Sequence, residues 1–141
     1  MIYTKLKKIA DISRANNNCI YPKYTSYIEL SRTRGYIGMI NENGNINVRN
    51  AVIIPKIKIN PIYFNIALQN ALPRFISKYL TTINLQIDSV GEMEIAYEEN
   101  EKEQLKAVNL LNIIESENEL SKKVIDKANE LKQVLLNKMF I

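Results

Sequence analysis

The sequence contains no histidine and no tryptophan, and Cys19 is its only cysteine. Without histidine the chain lacks the commonest general base and the commonest metal ligand of proteins. A single cysteine cannot form an internal disulfide or a structural zinc site, and no imidazole is present to activate its thiol. We therefore expect a buried or half-buried Cys19, and no catalytic residue, metal ion or cofactor in this chain.

Carboxylates are scarce before residue 88. Only Asp11, Glu29 and Glu42 occur there, and their spacing matches no paired-acid or metal-assisted site. The segment 35–38, Gly-Tyr-Ile-Gly, has neither the Walker nor the Rossmann spacing that cradles a phosphate. A small enzyme is therefore the least favoured class of function.

Long apolar runs are absent as well. No run approaches the roughly 20 residues that cross a membrane, and residues 1–8 lack the apolar core of a signal peptide. Together with the single cysteine, this pattern predicts a cytoplasmic protein without a membrane segment.

Residues 1–97 predict a mixed α/β domain. Runs of β-branched and aromatic residues, or strict alternation of apolar and polar residues, predict strands. These strands cover 27–30, 36–40, 47–54, 56–59, 83–87 and 93–97. A helix is expected from Asn60-Pro61, because asparagine caps helices and proline fits the first helical position. Its predicted buried side comprises Ile62, Ile66, Leu68 and Leu72, and Pro73 is expected to limit it.

Residues 98–141 predict one long helix. From Glu99 to Lys138 there is no proline and no glycine, and forty helical residues would extend about 60 Å. An apolar stripe follows it mostly at steps of three and four, which predicts pairing with a second helix. We assign to this stripe Val108, Ile113, Leu120, Val124, Ala128, Leu131, Leu135 and Met139. The fold class expected is therefore α+β, with a boundary between residues 97 and 98.

Charge divides the chain into two parts. Residues 1–87 carry 12 cationic and 3 anionic side chains, a net charge of +9, whereas residues 88–141 carry 7 and 12, a net charge of −5. A basic, tyrosine-rich first part is typical of a protein that binds a polyanion. The acidic residues at the start of the long helix complement the helix dipole.

Basic, hydroxyl and aromatic side chains alternate around residues 23–36. Arginine can contact guanine edges or phosphates, and the hydroxyl groups can donate to phosphates. The candidate DNA-binding residues are Lys23, Tyr24, Thr25, Tyr27, Arg32, Thr33, Arg34, Tyr36, Arg49, Arg74, Lys78 and Tyr79. An ordinary solvated basic surface is the alternative, and it is the better interpretation for Lys56 and Lys58. For Arg32 and Arg34 beside Gly35 we favour ligand contact.

Six segments in this order resemble one half of a specificity (S) subunit of type I restriction–modification systems. Residues 5–12 resemble the domain-opening segment, 28–38 the strand–turn–strand around a glycine, and 60–64 the following helix start. Residues 90–95 and Glu103-Gln104 resemble the last strand and the opening of the long helix, and residues 131–136 with Met139-Phe140 resemble its ending. The resemblance covers nearly the whole chain, but only one recognition unit is present.

The resemblance implies a non-catalytic subunit that selects a double-stranded DNA sequence. It also implies docking of a methyltransferase (modification) subunit, which carries the S-adenosylmethionine, and possibly of a restriction subunit. Two copies would pair through antiparallel long helices as a homodimer and read a symmetric bipartite target. The alternative is a protein-interaction module, such as a decoy S fragment or an antirestriction factor of a phage or mobile element, acting through the same helix.

Overall fold

The computed structural model describes residues 1–30, 35–79 and 86–139, except for the side chains of Tyr79 and of residues 135–139. Ten helices and strands follow one another in these ranges. They are β1 Ile2–Lys5, α1 Leu6–Ile9, β2 Ala10–Arg14, β3 Ser26–Glu29, β4 Tyr36–Met39, β5 Asn50–Pro55, α2 Pro61–Tyr79, α3 Ile87–Val90, β6 Glu94–Tyr97 and α4 Glu101–Met139. The α+β class and the long final helix are confirmed.

The chain divides into two compact units, Met1–Leu105 and Lys106–Ile141. The first unit extends past the expected boundary at residue 97 and includes the first turn of α4. Gln104 explains the extension, because its side chain is 1% exposed and holds two backbone groups of the first unit. Its Oε1 accepts from the Asn60 N–H at 3.0 Å, and its Nε2 donates to the Glu98 carbonyl at 2.6 Å.

The larger sheet is antiparallel and has the strand order β2-β5-β3-β4. One face contributes Ile28, Ile37, Ala51 and Ile53 to the core, all less than 5% exposed. Helix α2 packs on β4 and on β6. The buried Asn65 fixes the helix to this sheet, because its Nδ2 donates to the Ser26 hydroxyl at 3.0 Å and to the Gly38 carbonyl at 3.2 Å.

The opposite face of this sheet is covered in part. Ala15, Ile46 and Val52 are buried there, with Tyr21 and Tyr27 packed against them. The segments before β3 and after β4 therefore fold back over the sheet. They are joined by paired backbone hydrogen bonds between Tyr21 and Gly44, of 2.7 and 3.0 Å.

The second sheet joins the start of the chain to the segment before α4. Strands β1 and β6 are antiparallel, with Ile2 opposite Tyr97 and Lys5 opposite Glu94. Ile95 and Tyr97 lie in the core. This pairing of residues some ninety positions apart closes the first unit.

Helix α2 differs from its prediction in length and orientation. It continues through Pro73 to Tyr79, although proline removes one backbone hydrogen bond from the helix. Phe75, beyond the proline, is 3% exposed, so core packing stabilises the continued helix. Of the four residues predicted to be buried only Leu68 is fully so, and Ile62, Ile66 and Leu72 are half-buried.

Three predicted strands also need correction. Strand β5 begins at Asn50, because residues 47–49 form a turn in which the Asn47 side chain accepts from the Arg49 N–H at 2.9 Å. Residues 56–59 form no strand, although their exposure alternates as predicted. Ile87 begins the short helix α3, and Ile83 and Leu85 lie outside the described residues.

Helix α4 begins where Asn100 caps it, with its side-chain oxygen 2.9 Å from the Lys102 N–H. It covers 39 residues without interruption, so the prediction of a single long helix is confirmed. In the described part of the chain, no helix combines the length and apolar character needed to cross a membrane.

Candidate nucleic-acid interface

The structure distributes the predicted DNA-binding residues over three places. Lys23, Tyr24 and Thr25 form a turn before β3, Tyr27, Tyr36 and Arg49 belong to the larger sheet and its end, and Arg74 and Lys78 lie on α2. Arg32, Thr33 and Arg34 lie outside the described residues, as does the side chain of Tyr79.

Three backbone N–H groups hold the turn at residues 22–25 by hydrogen bonds. The Thr25 N–H donates to the Pro22 carbonyl at 3.2 Å, the Tyr24 N–H to the Ile40 carbonyl at 2.8 Å, and the Lys23 N–H to the Asn43 side chain at 2.7 Å. Tyr24 has a φ of 71°, a conformation that is costly for a bulky residue. The Lys23 ammonium lies 4.8 Å from the centre of the Tyr24 ring. The turn therefore presents a cation and an aromatic ring in a fixed arrangement.

Tyr27 and Tyr36 lie on one face of the β3–β4 pair. Their ring centres are 6.4 Å apart. Tyr27 opposes Gly38, and a Cβ atom on Gly38 would lie 2.5 Å from the Tyr27 ring, so any other residue there would displace the ring. Burial raises the pKa of the Tyr27 hydroxyl, and the neighbouring Tyr36 and Glu29 raise it further. Tyr36 is 48% exposed, so about half of its side chain faces solvent.

Arg14 is a residue that the sequence did not single out. It ends β2, and its Nη1 donates to the Val48 carbonyl at 3.0 Å. The neighbouring Arg49 accepts at its carbonyl from the Leu30 N–H at 3.1 Å. Arg14 and Arg49 therefore lie at the same end of the sheet, where β3 ends and β4 begins. The alternation of apolar and polar residues at 10–13, Ala-Asp-Ile-Ser, is a strand signal that could have placed Arg14 there.

Ion pairs within the first unit neutralise two of its glutamates, Glu92 and Glu101. Glu92 lies 2.7 Å from the Lys5 ammonium and 2.6 Å from that of Lys7, and hydrogen bonds from these lysines lower the pKa of Glu92 to about 2. Lys58 lies 2.8 Å from Glu101, and this bond raises the pKa of Lys58 and lowers that of Glu101.

Within residues 88–141, the negative charge is concentrated at the start. Residues 88–105 carry 7 acidic and 1 basic side chains, whereas residues 106–141 carry 5 and 6. The long helix beyond its first turn is close to neutral. The charge contrast of the sequence therefore lies mainly inside the first unit.

The apolar stripe of α4 is largely exposed in the single chain. Ile113, Leu120, Val124 and Leu131 are 56–66% exposed, Ala128 is exposed and Val108 is buried. The side chains of Leu135 and Met139 lie outside the described residues. An exposed row of large apolar side chains on one helix is the surface that a second helix would cover.

No group of histidine, cysteine, aspartate and glutamate side chains in the described ranges could hold a metal ion. Cys19 is exposed rather than buried, because it lies in a turn closed by its N–H on the Asn16 carbonyl at 3.1 Å.

Comparisons with known proteins give one consistent match. No family model and no curated protein matches the sequence. Among solved structures, the chain is similar to the S subunit of a type I restriction–modification system from M. genitalium, with a TM-score of 0.66 and 16% identity. It is also similar to the HsdS subunit from Thermoanaerobacter tengcongensis, with a TM-score of 0.57 and 12% identity. Each match covers 82% of this chain but only 39% and 37% of the respective S subunits. At these identities the similarity establishes the fold: the chain folds as part of a type I restriction–modification S subunit does.

Proposed function

We propose that the chain is a DNA-recognition subunit of a type I restriction–modification system and has no catalysis of its own. The fold shared with two S subunits over 82% of the chain is the observation that carries this proposal. The chain would choose the DNA sequence, and a methyltransferase subunit would bind the S-adenosylmethionine and modify the base. A restriction subunit would join the same complex to cleave DNA.

Cations without an acidic neighbour support DNA recognition by the first unit. Among the described residues, Lys23, Arg14 and Arg49 have no ion-pair partner. Arginine reads guanine through two parallel hydrogen bonds, and tyrosine donates to phosphates or packs against bases. The end of the larger sheet, with Arg14, Arg49 and Tyr36, therefore offers the chemistry of a sequence reader.

The exposed stripe of α4 supports pairing of two copies. Burying side chains such as Leu120, Val124 and Leu131, each more than 60% exposed, would stabilise a helix pair by roughly 1.5–3 kcal/mol for each fully buried side chain. A two-fold pair places identical readers on inverted half-sites. We infer a symmetric bipartite target whose spacer depends on the paired helices, with the methyltransferase docked between the readers.

Methylome sequencing tests this function. The chain is expressed with a type I methyltransferase subunit in cells that lack other methylation. A symmetric split motif that disappears when the chain is omitted is the expected result. The proposal is contradicted if the methylated sites share no such motif. It is also contradicted if several methyltransferases associate with the chain and none of them methylates DNA.

A protein-interaction module is the second candidate. The exposed apolar stripe of α4 favours it, and the chain spans about two fifths of the length of the S subunits that it matches. As a decoy S fragment or an antirestriction factor, the chain would occupy another complex through α4 and need no DNA contact. Replacing Arg49 and Tyr36 by alanine distinguishes the two functions. Loss of DNA binding with intact partner binding supports recognition, and no effect on either supports the decoy.

A further inference from the structure

A furrow runs between α2 and the outer face of the β1–β6 sheet. Its larger part is a cavity of about 500 Å³ whose lining includes Tyr3, Lys5, Lys8, Arg74 and Glu94. A smaller cavity of about 110 Å³ shares Arg74 and Glu94 and adds Lys78 and Glu92. Because the two cavities share residues, they form one continuous surface, the α2 furrow.

The register of the second sheet directs side chains into the α2 furrow. Tyr3 pairs with Ala96 and Lys5 with Glu94, and paired residues of an antiparallel sheet share a face. Of the alternate residues, Ile95 lies in the core, and Thr4 borders the α2 furrow at its margin. Tyr3 is 76% exposed, so it is an accessible aromatic hydroxyl rather than part of the core.

Helix α2 contributes the other wall. Asn70, Arg74 and Lys78 are spaced four residues apart and lie along one side of the helix, about 6 Å from one to the next. The helix contains no acidic residue, and neither does any part of the chain from residue 43 to residue 87. This wall therefore presents hydrogen-bond donors without a carboxylate.

The charges of the α2 furrow do not cancel. Lys5, Lys8, Arg74 and Lys78 face two carboxylates, Glu92 and Glu94. Glu92 is already bound by Lys5 and Lys7. Within the ranges that the structure describes, the side chains of Lys8 and Arg74 have no ion-pair partner. Two cations on separate helices thus remain available to an anion.

We propose that the α2 furrow binds the phosphate backbone of DNA and anchors the duplex without reading its sequence. Base edges lie at the floor of the DNA grooves and are reached by protruding protein segments, whereas the backbone strands protrude. A concave surface can therefore receive the backbone but not the base edges. Phosphate contacts from lysine, arginine, tyrosine and asparagine position a protein on DNA. The inference rests on the proposed function and divides its basic residues into sequence readers and backbone anchors.

Salt-dependent binding of the full-length chain tests the division. The probes are a duplex selected from a random pool for binding and an unselected duplex of equal length. For Lys8→Ala/Arg74→Ala we expect equal weakening on both duplexes, roughly tenfold for each lost contact at about 0.1 M salt. The slope of log affinity against log salt should become shallower by about 0.9 for each lost contact. Arg74→Lys should retain more affinity than Arg74→Ala, since lysine also binds phosphate, as a point charge without the bidentate fork of arginine.

Arg49→Ala and Lys58→Ala serve as matched controls. Arg49→Ala should weaken the selected duplex more than the unselected one, and Lys58→Ala, whose ammonium is bound to Glu101, should change neither. A loss in Lys8→Ala/Arg74→Ala confined to the selected duplex would overturn the inference. Unchanged DNA affinity and unchanged slope in Lys8→Ala/Arg74→Ala would also overturn it. If the same variant associated less tightly with a methyltransferase, the occupant of the α2 furrow would be an acidic protein surface. No DNA affinity in the unsubstituted chain would overturn the proposed function itself, and this inference with it.

Discussion

Asn60 and Gln104 show how single polar side chains join the starts of two helices. The Asn60 side chain accepts from the N–H groups of Ile62 and Tyr63, at 2.9 and 3.1 Å, and so caps α2. Its own N–H is bound by Gln104, which also binds the Glu98 carbonyl. Tyr63 accepts from the Glu98 N–H at 2.8 Å. The starts of α2 and α4 are thus joined by one hydrogen-bond network.

Removing the Gln104 amide should therefore destabilise the first unit. Gln104→Leu leaves the Asn60 N–H and the Glu98 carbonyl without partners, and we expect a loss of about 2 kcal/mol in the free energy of unfolding. Urea denaturation measures it. Lys102→Leu, an exposed position in the same turn, should change stability by less than about 0.5 kcal/mol. Equal effects of both substitutions would argue against the network.

Glu92 makes a second residue-scale prediction. Its folded-state pKa of about 2 lies below the ordinary value of 4.5, so the carboxylate stabilises the folded chain fully above about pH 4.5. That contribution decreases as the pH falls from 4.5 towards 2, because protonation breaks its bonds to Lys5 and Lys7. Unfolding midpoints in urea between pH 6 and pH 3 should fall less steeply for Glu92→Gln than for the unsubstituted chain. Parallel curves would refute the assignment.

At the scale of elements, α2 and α4 behave differently. Helix α2 packs on β4 and β6 within the first unit. This packing determines which side of the helix is buried and stabilises the helix beyond Pro73. Helix α4 contains neither proline nor glycine, and its apolar side chains from Leu110 to Leu131 are mostly exposed. The periodicity of its sequence was enough to predict α4. Most of its apolar stripe is left uncovered by the described part of the chain.

Polar substitution of that stripe should separate paired chains. For Leu120→Ser, Val124→Ser and Leu131→Ser combined, we expect sedimentation to show a fall from two chains to one. The three side chains are exposed in the single chain, so the fold of the first unit should be unaffected. Serine at the preceding positions, Glu119, Lys123 and Glu130, is the matched control and should leave the mass unchanged. An unchanged mass in the first variant would exclude pairing through this stripe.

For the molecule as a whole, the important quantity is the charge that remains after internal pairing. The net charge of +9 in residues 1–87 overstates the positive surface, because Lys5, Lys7 and Lys58 are bound to glutamates of the segment 88–103. Long-range attraction of DNA depends on the cations without such partners.

Salt dependence should reveal this difference. Arg74→Ala, which removes a cation without an ion-pair partner among the described residues, should reduce the slope of log affinity against log salt by about 0.9, the value for one phosphate contact, and Lys7→Ala should leave the slope unchanged. Fluorescence anisotropy with an unselected duplex at several salt concentrations measures both. A reduced slope in Lys7→Ala would mean that the ion pair with Glu92 opens to bind DNA.

The sequence alone determined whatever depends on local spacing. The α+β class, the strands around 27–30 and 36–40, the cap at Asn60 and the long helix follow from periodicity and from side chains that bond to their own neighbours. Only the tertiary structure decided the buried side of α2, its continuation through Pro73 and the position of Arg14 beside Arg49. Lys5 and Glu92, which meet across 87 positions, show the physical reason. The net charge follows from the composition alone. Whether a charged side chain is neutralised depends on its distance from an opposite charge, and only folding brings together charged side chains that are far apart in the sequence.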